Sequence, residues 1–199
     1  MTGIIMRGRI IYIMGASGAG KDSLIKELRH RLRDLPVIAA RRYITRPLSA
    51  EGEPHIFVSH ACFEKLASTG YFSLHWASHG CRYGISSRMD AALERGVSLL
   101  INGSRTMFPL AATRYPDLLP VLVTAPPCML RERLRQRGRE SDAEIEERMC
   151  SAVLPLPEVP EAAAWIRVEN SDSLERAAAF LEQTLRPLLT PVRDGVFRR

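Results

Sequence analysis

The sequence of 199 residues has few lysines, no long apolar run and no paired cysteines. No stretch approaches the roughly 20 apolar residues needed to cross a bilayer. The four cysteines are scattered without a CxxC pair, which argues against a zinc site or a disulfide framework and favours a reducing cytosol. The apolar start is interrupted by Arg7 and Arg9 and leads into a glycine-rich turn, so we expect a first strand rather than a signal peptide. These absences predict a cytoplasmic protein without a membrane partner.

The positive charge is carried almost entirely by arginine. Lysine and arginine total 28 against 22 acidic residues, for a net charge of +6, and only three of the 28 are lysines. Arginine binds phosphate through a planar fork, so both nucleic acid and a small polyphosphorylated substrate would explain the excess. The arginines lie beside specific motifs rather than in one run, which favours the small substrate over nucleic acid.

Alternating strand-like and helix-like segments predict an α/β fold with a mostly parallel sheet in one domain over residues 1–199. The predicted strands are residues 9–14, 37–40, 71–77, 97–101, 119–124 and 165–168. The predicted helices are residues 21–33, 59–68, 87–95, 127–137, a helix starting at 141, and 173–185. Residues 41–55 are expected to form a loop, and residues 187–199 a loosely held tail.

The strongest functional signal is GASGAGK at residues 15–21, which follows a predicted strand and opens a predicted helix. That context is typical of a P-loop, where backbone N–H groups and a helix N-terminus surround phosphate. Lys21 can reach the β- and γ-phosphates of ATP. The residues predicted to bind ATP are Gly15, Ala16, Ser17, Gly18, Ala19, Gly20, Lys21, Asp22 and Ser23.

Asp22 is a departure from the P-loop pattern, which has Ser or Thr after the lysine as a Mg²⁺ ligand. Here Ser23 comes one residue later. A carboxylate is a hard oxygen ligand, so Asp22 is a candidate for holding Mg²⁺. The alternative is that Asp22 only provides a favourable charge at the helix N-terminus. The residue pattern leaves both open.

Several segments together resemble the guanylate kinases, in the same order along residues 10 to about 181. They are GASGAGKDSL, ITRP, HIFVS, the stretch ending in RYG at residue 84, and RLRQRGRE followed by Glu144, Ile145 and Arg148. Within that superfamily the chain is most similar to the ribose 1,5-bisphosphate phosphokinase family of bacterial phosphonate breakdown. The shared marks are GKDSL, RYITR, HIFVS, NGSR and RGRE.

The resemblance implies a nucleoside-monophosphate-kinase-like fold with a central parallel sheet, an acceptor-binding insert at about residues 40–95 and a lid at about residues 136–147. It implies ATP- and Mg²⁺-dependent phosphorylation of ribose 1,5-bisphosphate to 5-phosphoribosyl 1-diphosphate. Lys21, Arg137 and Arg148 are the expected catalytic residues. The expected acceptor ligands are Arg42, Arg46, His55, Arg82, Tyr83 and Arg105.

Departures from the guanylate kinases bear on the acceptor. By alignment, Leu74, Arg42 and Asn102 stand where those kinases have the glutamate, serine and acidic residue that read guanine. The site has thus lost base-reading groups and gained cations, with His75 and His79 as further candidates. A guanylate-type kinase and a non-catalytic interaction module of the same fold are the alternatives. The retained phosphate loop and lid arginines favour an enzyme.

Overall fold

The computed structural model describes residues 7–48, 54–138, 140–152 and 165–190. The strands are β1 (Ile10–Gly15), β2 (Val37–Ala39), β3 (Arg42–Ile44), β4 (Ile56–Phe57), β5 (Phe72–Ser78), β6 (Cys81–Ser86), β7 (Ser98–Asn102), β8 (Leu119–Thr124) and β9 (Ile166–Glu169). The helices are α1 (Lys21–Arg31), α2 (His60–Ser68), α3 (Arg88–Glu94), α4 (Phe108–Arg114), α5 (Pro127–Arg137), α6 (Asp142–Ala152) and α7 (Leu174–Leu189). Among the described helices, none combines the length and apolarity needed to span a membrane.

A parallel five-stranded sheet, in the order β2-β7-β1-β8-β9, forms the centre of the fold. Successive side chains of a strand point to opposite faces, so β1 supplies both cores. Ile11 and Ile13 pack in the core that contains apolar residues of α1 and α7. Ile10, Tyr12 and Met14 pack in the core that reaches α3, α4 and the second sheet. This confirms the predicted α/β class with a parallel sheet flanked by helices.

The second sheet, in the order β4-β3-β6-β5, lies within the predicted acceptor-binding insert. Its β3 strand lies inside the segment predicted as a loop, so that prediction was wrong for residues 42–44. β3 is antiparallel to β6 and parallel to β4. Three residues that include a buried arginine are too few to show an alternating hydrophobic pattern. The strand forms because it pairs with β4 and β6, which lie outside its own segment of the sequence.

Helix boundaries follow the predicted capping signals closely. The Ser59 side chain accepts from the backbone N–H of Cys62 at 3.2 Å at the start of α2. The backbone N–H of Ser141 donates to Glu144 at 2.8 Å, as a capping box requires.

The last helix differs from the expectation of a loose tail beginning at Pro187. It continues through Pro187 to Leu189, and both Leu185 and Leu189 are buried in the core. Proline removes one helical hydrogen bond, but this burial keeps the final turn packed. Residues 191–199, and Pro155, Pro157 and Pro160, which were expected to end the helix after Ser141, lie outside the described residues.

The loop after β7 is fixed by a tyrosine of the central strand. Tyr12 is fully buried, and its hydroxyl donates to the Ser104 carbonyl at 3.0 Å while accepting from the Ser104 N–H at 3.1 Å. The ring lies so close to Gly103 that a Cβ there would be 2.1 Å from the ring's Cζ. Gly103 therefore permits the approach that holds the NGSR loop in place.

Gly103→Ala is expected to lower the free energy of unfolding by about 1–3 kcal/mol, because the methyl group would overlap the Tyr12 ring. Urea unfolding measures the loss. In a Tyr12→Leu background the ring is gone, so the same Gly103→Ala change should cost markedly less. An equal cost in both backgrounds would contradict steric overlap with Tyr12.

Candidate active site

A cavity of about 540 Å³ opens between the carboxyl ends of β1 and β7, the insert and the segment around α6. The predicted site residues among its lining are Gly15, Ala16, Ser17, Gly18, Gly20, Lys21, Asp22, Ser23, Arg42, Arg46, Tyr83, Arg105, Arg137 and Arg148. Six of the lining residues are lysine or arginine, and Asp22 is the one acidic residue among those described. Such a surface suits a ligand with several negative charges.

The phosphate loop is stabilised by its glycines and by hydrogen bonds from Asn170 and Arg133. Gly18 and Gly20 have φ values of +85° and +88°, a conformation that favours glycine. The Asn170 side chain donates to the Ala19 carbonyl at 2.9 Å, and a Cβ on Gly20 would lie 2.3 Å from that amide nitrogen. Arg133 in turn donates to the Asn170 carbonyl at 2.9 Å. This support prearranges the loop.

Lys21 folds back onto its own loop, where Nζ donates to the carbonyls of Gly15 and Ala16 at 2.9 Å each. Burial is the main cause that lowers the pKa of Lys21 to about 8; the charge of Asp22 opposes this shift, and the nearby arginines add to it. A bound phosphate would supply the negative charge that this ammonium group lacks.

Asp22, Asn102 and Arg42 join the phosphate loop to the insert. The Asn102 side-chain nitrogen donates to Asp22 Oδ1, and Arg42 Nη2 lies 3.8 Å from the same oxygen. Arg42 Nη1 also donates to the Asn102 carbonyl at 3.3 Å. An amide at position 102 can donate to a carboxylate, whereas an acid there would repel it. The Asn102 amide therefore provides the hydrogen-bond donor that the unusual aspartate of the loop needs.

Asp22 offers the cavity a hard oxygen ligand suited to Mg²⁺. Within the described ranges no three or more His, Cys, Asp or Glu residues form a metal-binding group. Mg²⁺ commonly takes one or two carboxylates together with waters and substrate phosphates, so the residues fit a metal that arrives with a nucleotide.

An aromatic pair forms part of the insert's side of the cavity. Trp76 and Tyr83 stack with ring centroids 5.5 Å apart and planes 8° from parallel. The Arg42 guanidinium lies 5.3 Å from the centre of the Tyr83 ring, and Arg42 is only 8% exposed. The Tyr83 ring thus helps to hold this arginine in place in the lining of the cavity. No sequence motif indicates Trp76, which lines the cavity as the cross-strand partner of Tyr83.

Two predicted acceptor ligands lie outside the cavity lining. Arg82 forms a 3.0 Å ion pair with Glu64 because alternate residues of β6 face opposite ways and Tyr83 takes the cavity side. His55 is buried, and its Nε2 is 2.8 Å from the carbonyl of Arg46, so it supports that arginine's backbone.

The predicted ATP ligand Ala19 is also absent from the cavity lining. Its side chain is fully buried in the core that contains α1 and α7 residues.

The lid arginines, Arg137 and Arg148, reach the cavity from α5 and α6. Arg148 of α6 donates to Ser17 Oγ at 3.3 Å, and Arg137 lines the cavity from the end of α5. Arg105 donates to the Ser151 carbonyl and, at 3.1 Å, to the Ala152 carbonyl at the end of α6. Arg105 therefore ties α6 to the NGSR loop in addition to facing the cavity.

The hairpin between β5 and β6 brings His79, one of the further candidates, to the lining of the cavity. His79 and Gly80 both have positive φ, at 46° and 69°, the backbone of a two-residue hairpin turn. Partial burial and, secondarily, the charge of Arg148 lower the pKa of His79.

The fold and the phosphate loop together define a guanylate-kinase-like P-loop protein. A guanylate kinase from Anaplasma phagocytophilum superposes with a TM-score of 0.66 at 18% identity, covering 94% of this chain and 89% of that one. A sugar kinase from a Janibacter species superposes with a TM-score of 0.52 at 17% identity, covering 92% and 98%. No family model matches the chain.

Curated relatives identify the family within that class. Ribose 1,5-bisphosphate phosphokinases of Desulfomicrobium baculatum and Achromobacter xylosoxidans are 49% and 47% identical, covering 86% and 87% of this chain and 91% and 90% of theirs. That of Azotobacter vinelandii is 44% identical, covering 91% of this chain and 97% of its own. The chain belongs to the ribose 1,5-bisphosphate phosphokinase family.

Proposed function

We propose that this chain transfers the γ-phosphoryl group of ATP to ribose 1,5-bisphosphate, giving ADP and 5-phosphoribosyl 1-diphosphate, as a step of phosphonate catabolism. The observation that carries the proposal, beside family membership, is a cavity formed in part by the phosphate loop, whose described lining contains six cationic side chains and one carboxylate. Both substrates are rich in phosphate, so their combined negative charge matches this lining.

The reaction needs positioning and charge neutralisation more than proton removal. An oxygen of the 1-phosphate forms a bond to the γ-phosphorus as the bond from that phosphorus to the bridging oxygen of ADP breaks. The attacking phosphate oxygen is already ionised near neutral pH, so no general base is required. The chain's task is to align the two phosphates in line and to offset their repulsion.

One set of cavity residues binds ATP and the transferring group, and another set binds the acceptor. Lys21 and the amides of residues 15–23 hold the phosphates of ATP, with Ala19 acting through its backbone. Asp22 would hold Mg²⁺, which would supply charge neutralisation at the phosphates when bound. Arg137 and Arg148 offset charge on the transferring group.

The acceptor's phosphates bind to Arg42, Arg46 and Arg105, beside Tyr83. His55 supports Arg46 through the backbone carbonyl contact at 2.8 Å. Arg82, which pairs with Glu64 at 3.0 Å, takes no part in this binding.

Guanylate is the rival acceptor because a guanylate kinase shares the fold. Leu74, which aligns with a guanine-reading glutamate, is buried in the core, and Arg42 fills the aligned serine position. A buried arginine provides only donors, so the N1–H and N2–H groups of guanine would lack acceptors there. These features favour a second phosphate over a base.

An acceptor panel tests the proposal. With ATP and Mg²⁺, kcat/KM for ribose 1,5-bisphosphate should exceed that for GMP by about 100-fold or more, because the base would leave polar groups unpaired. Ribose 5-phosphate, which lacks the accepting 1-phosphate, is the negative control. Coupled ADP release and identification of the product measure the outcome. A GMP value equal to or above that for the sugar bisphosphate would overturn the choice of acceptor.

Lys21→Ala is expected to lower kcat by about 10²–10³-fold, because a cation that follows the developing charge is removed. Thermal unfolding should show a folded protein, since Lys21 makes only carbonyl contacts within its own loop. Lys26→Ala, on the exposed face of α1, is the matched control and should retain wild-type turnover. Near-normal kcat in the Lys21 variant would contradict the phosphate-loop assignment.

Asp22→Asn is expected to raise the Mg²⁺ concentration for half-maximal rate by about tenfold, because the variant loses the charge but keeps an oxygen for Asn102. The KM for the acceptor should change less. Asp22→Ser should recover part of the loss by restoring the usual ligand type. The same Mg²⁺ requirement in the wild type and both variants would make Asp22 only a helix-end charge.

A further inference from the structure

A buried carboxylate outside the predicted site lies next to one of the lid arginines. Glu140 stands between the end of α5 and the start of α6, and its side chain is 5% exposed. Its Oε1 is 3.1 Å from Arg148 Nη2, while its buried Oε2 has no hydrogen-bond partner in the described parts of the chain. A buried carboxylate is costly unless it is paired, so Glu140 depends on Arg148 for its compensation.

Arg148 connects this carboxylate to the phosphate loop. Its guanidinium is held on one edge by Glu140, and its Nη1 on another edge donates to Ser17 Oγ at 3.3 Å. The Arg148 side chain is 16% exposed. A long side chain loses much rotamer entropy when it is fixed, and the ion pair with Glu140 pays that cost before a substrate binds. Arg148 is therefore held beside Ser17 of the phosphate loop, in the lining of the cavity, before a substrate binds.

Other acid–arginine pairs of the lid have a different environment. Arg131 pairs with Glu146 at 3.0 Å, but these side chains are 39% and 58% exposed, and neither residue lines the cavity. Arg135 and Asp142 are likewise exposed. Exposed pairs contribute little energy, whereas losing one member of a buried pair leaves a charge uncompensated. Burial and direction toward the loop thus distinguish Glu140 from the lid's exposed acids.

We propose that Glu140 is a positioning residue for phosphoryl transfer, whose buried carboxylate fixes the Arg148 guanidinium toward the phosphate loop. The inference rests on the proposed function and deepens it, because it states how one of the charge-neutralising arginines is held. Glu140 does not touch the reacting phosphates. It acts through Arg148, whose fork must meet phosphate oxygens in a defined plane.

Glu140→Gln keeps the shape of the side chain but removes its charge. We expect kcat to fall about 10- to 100-fold while the KM values for ATP and the acceptor change less than about threefold, because the lost orientation matters most in the transition state. Glu140→Asp keeps the charge and should recover part of the rate. Glu146→Gln, which breaks the exposed pair between Glu146 of α6 and Arg131 of α5, is the matched control and should retain wild-type kcat.

A double-variant cycle separates positioning from a purely structural role. If Glu140 acts through Arg148, Glu140→Gln should cost little further kcat in an Arg148→Lys background, although it is costly alone. Thermal unfolding of each variant reports any loss of fold separately. Wild-type kcat in Glu140→Gln, or losses that multiply fully in the double variant, would overturn the inference.

Assays of the wild type with each acceptor distinguish failure of the Glu140 proposal from failure of the proposed function. If the wild type phosphorylates ribose 1,5-bisphosphate but the cycle shows no coupling, only the role of Glu140 fails. If the wild type uses another acceptor of the panel, the proposed function fails, and the same cycle is run with that acceptor. If it uses none, the cycle is run on hydrolysis of ATP, where loss of Arg148 orientation should also lower the rate.

Discussion

Six cationic side chains face one cavity whose described lining contains a single carboxylate, and their mutual repulsion is the constraint on which the site depends. Backbone carbonyls meet much of this constraint. They accept hydrogen bonds from Lys21, Arg42 and Arg105. A carbonyl satisfies an N–H group without cancelling its charge. The positive potential therefore remains available for phosphate groups.

The carbonyls are useful only because buried groups elsewhere hold the backbone in place. Tyr12 fixes the loop that follows Asn102 and provides Arg105, and the Asn170 side chain supports the phosphate loop through the Ala19 carbonyl. Each support comes from a strand of the parallel sheet or the residue just after one, at the carboxyl edge where the cavity opens. Such sheets place binding sites at this edge because the loops after neighbouring strands converge there.

The relation of Asp22 to Asn102 shows how one change in a phosphate loop involves a distant strand. A carboxylate after the loop lysine would face a second carboxylate if β7 ended in an acid. The amide of Asn102 turns that repulsion into a hydrogen bond. The same exchange removes an acidic reader of guanine, so the altered loop and the altered acceptor preference are consistent with one another.

The sequence by itself determined the fold class, the phosphate loop and the family. Each is written in contiguous residues: a buried apolar strand, a glycine-rich turn with Lys21, and short motifs in a fixed order. Most helices were predictable for the same reason, since capping residues such as Ser59 and Ser141 act within one turn. The strands β3, β4 and β6 were not: β3 and β4 are too short to show a period, and β3 pairs with β6, which lies far along the chain.

Only the tertiary structure decided which charged residues share the cavity. Arg82 and Tyr83 are adjacent in sequence, yet strand alternation sends one to Glu64 and the other to the site. Arg131 and Arg148 both have acid partners, but only the pair of Arg148 with Glu140 is buried beside the phosphate loop. Direction and burial are properties of packing between distant segments, so no local pattern of arginines could reveal them.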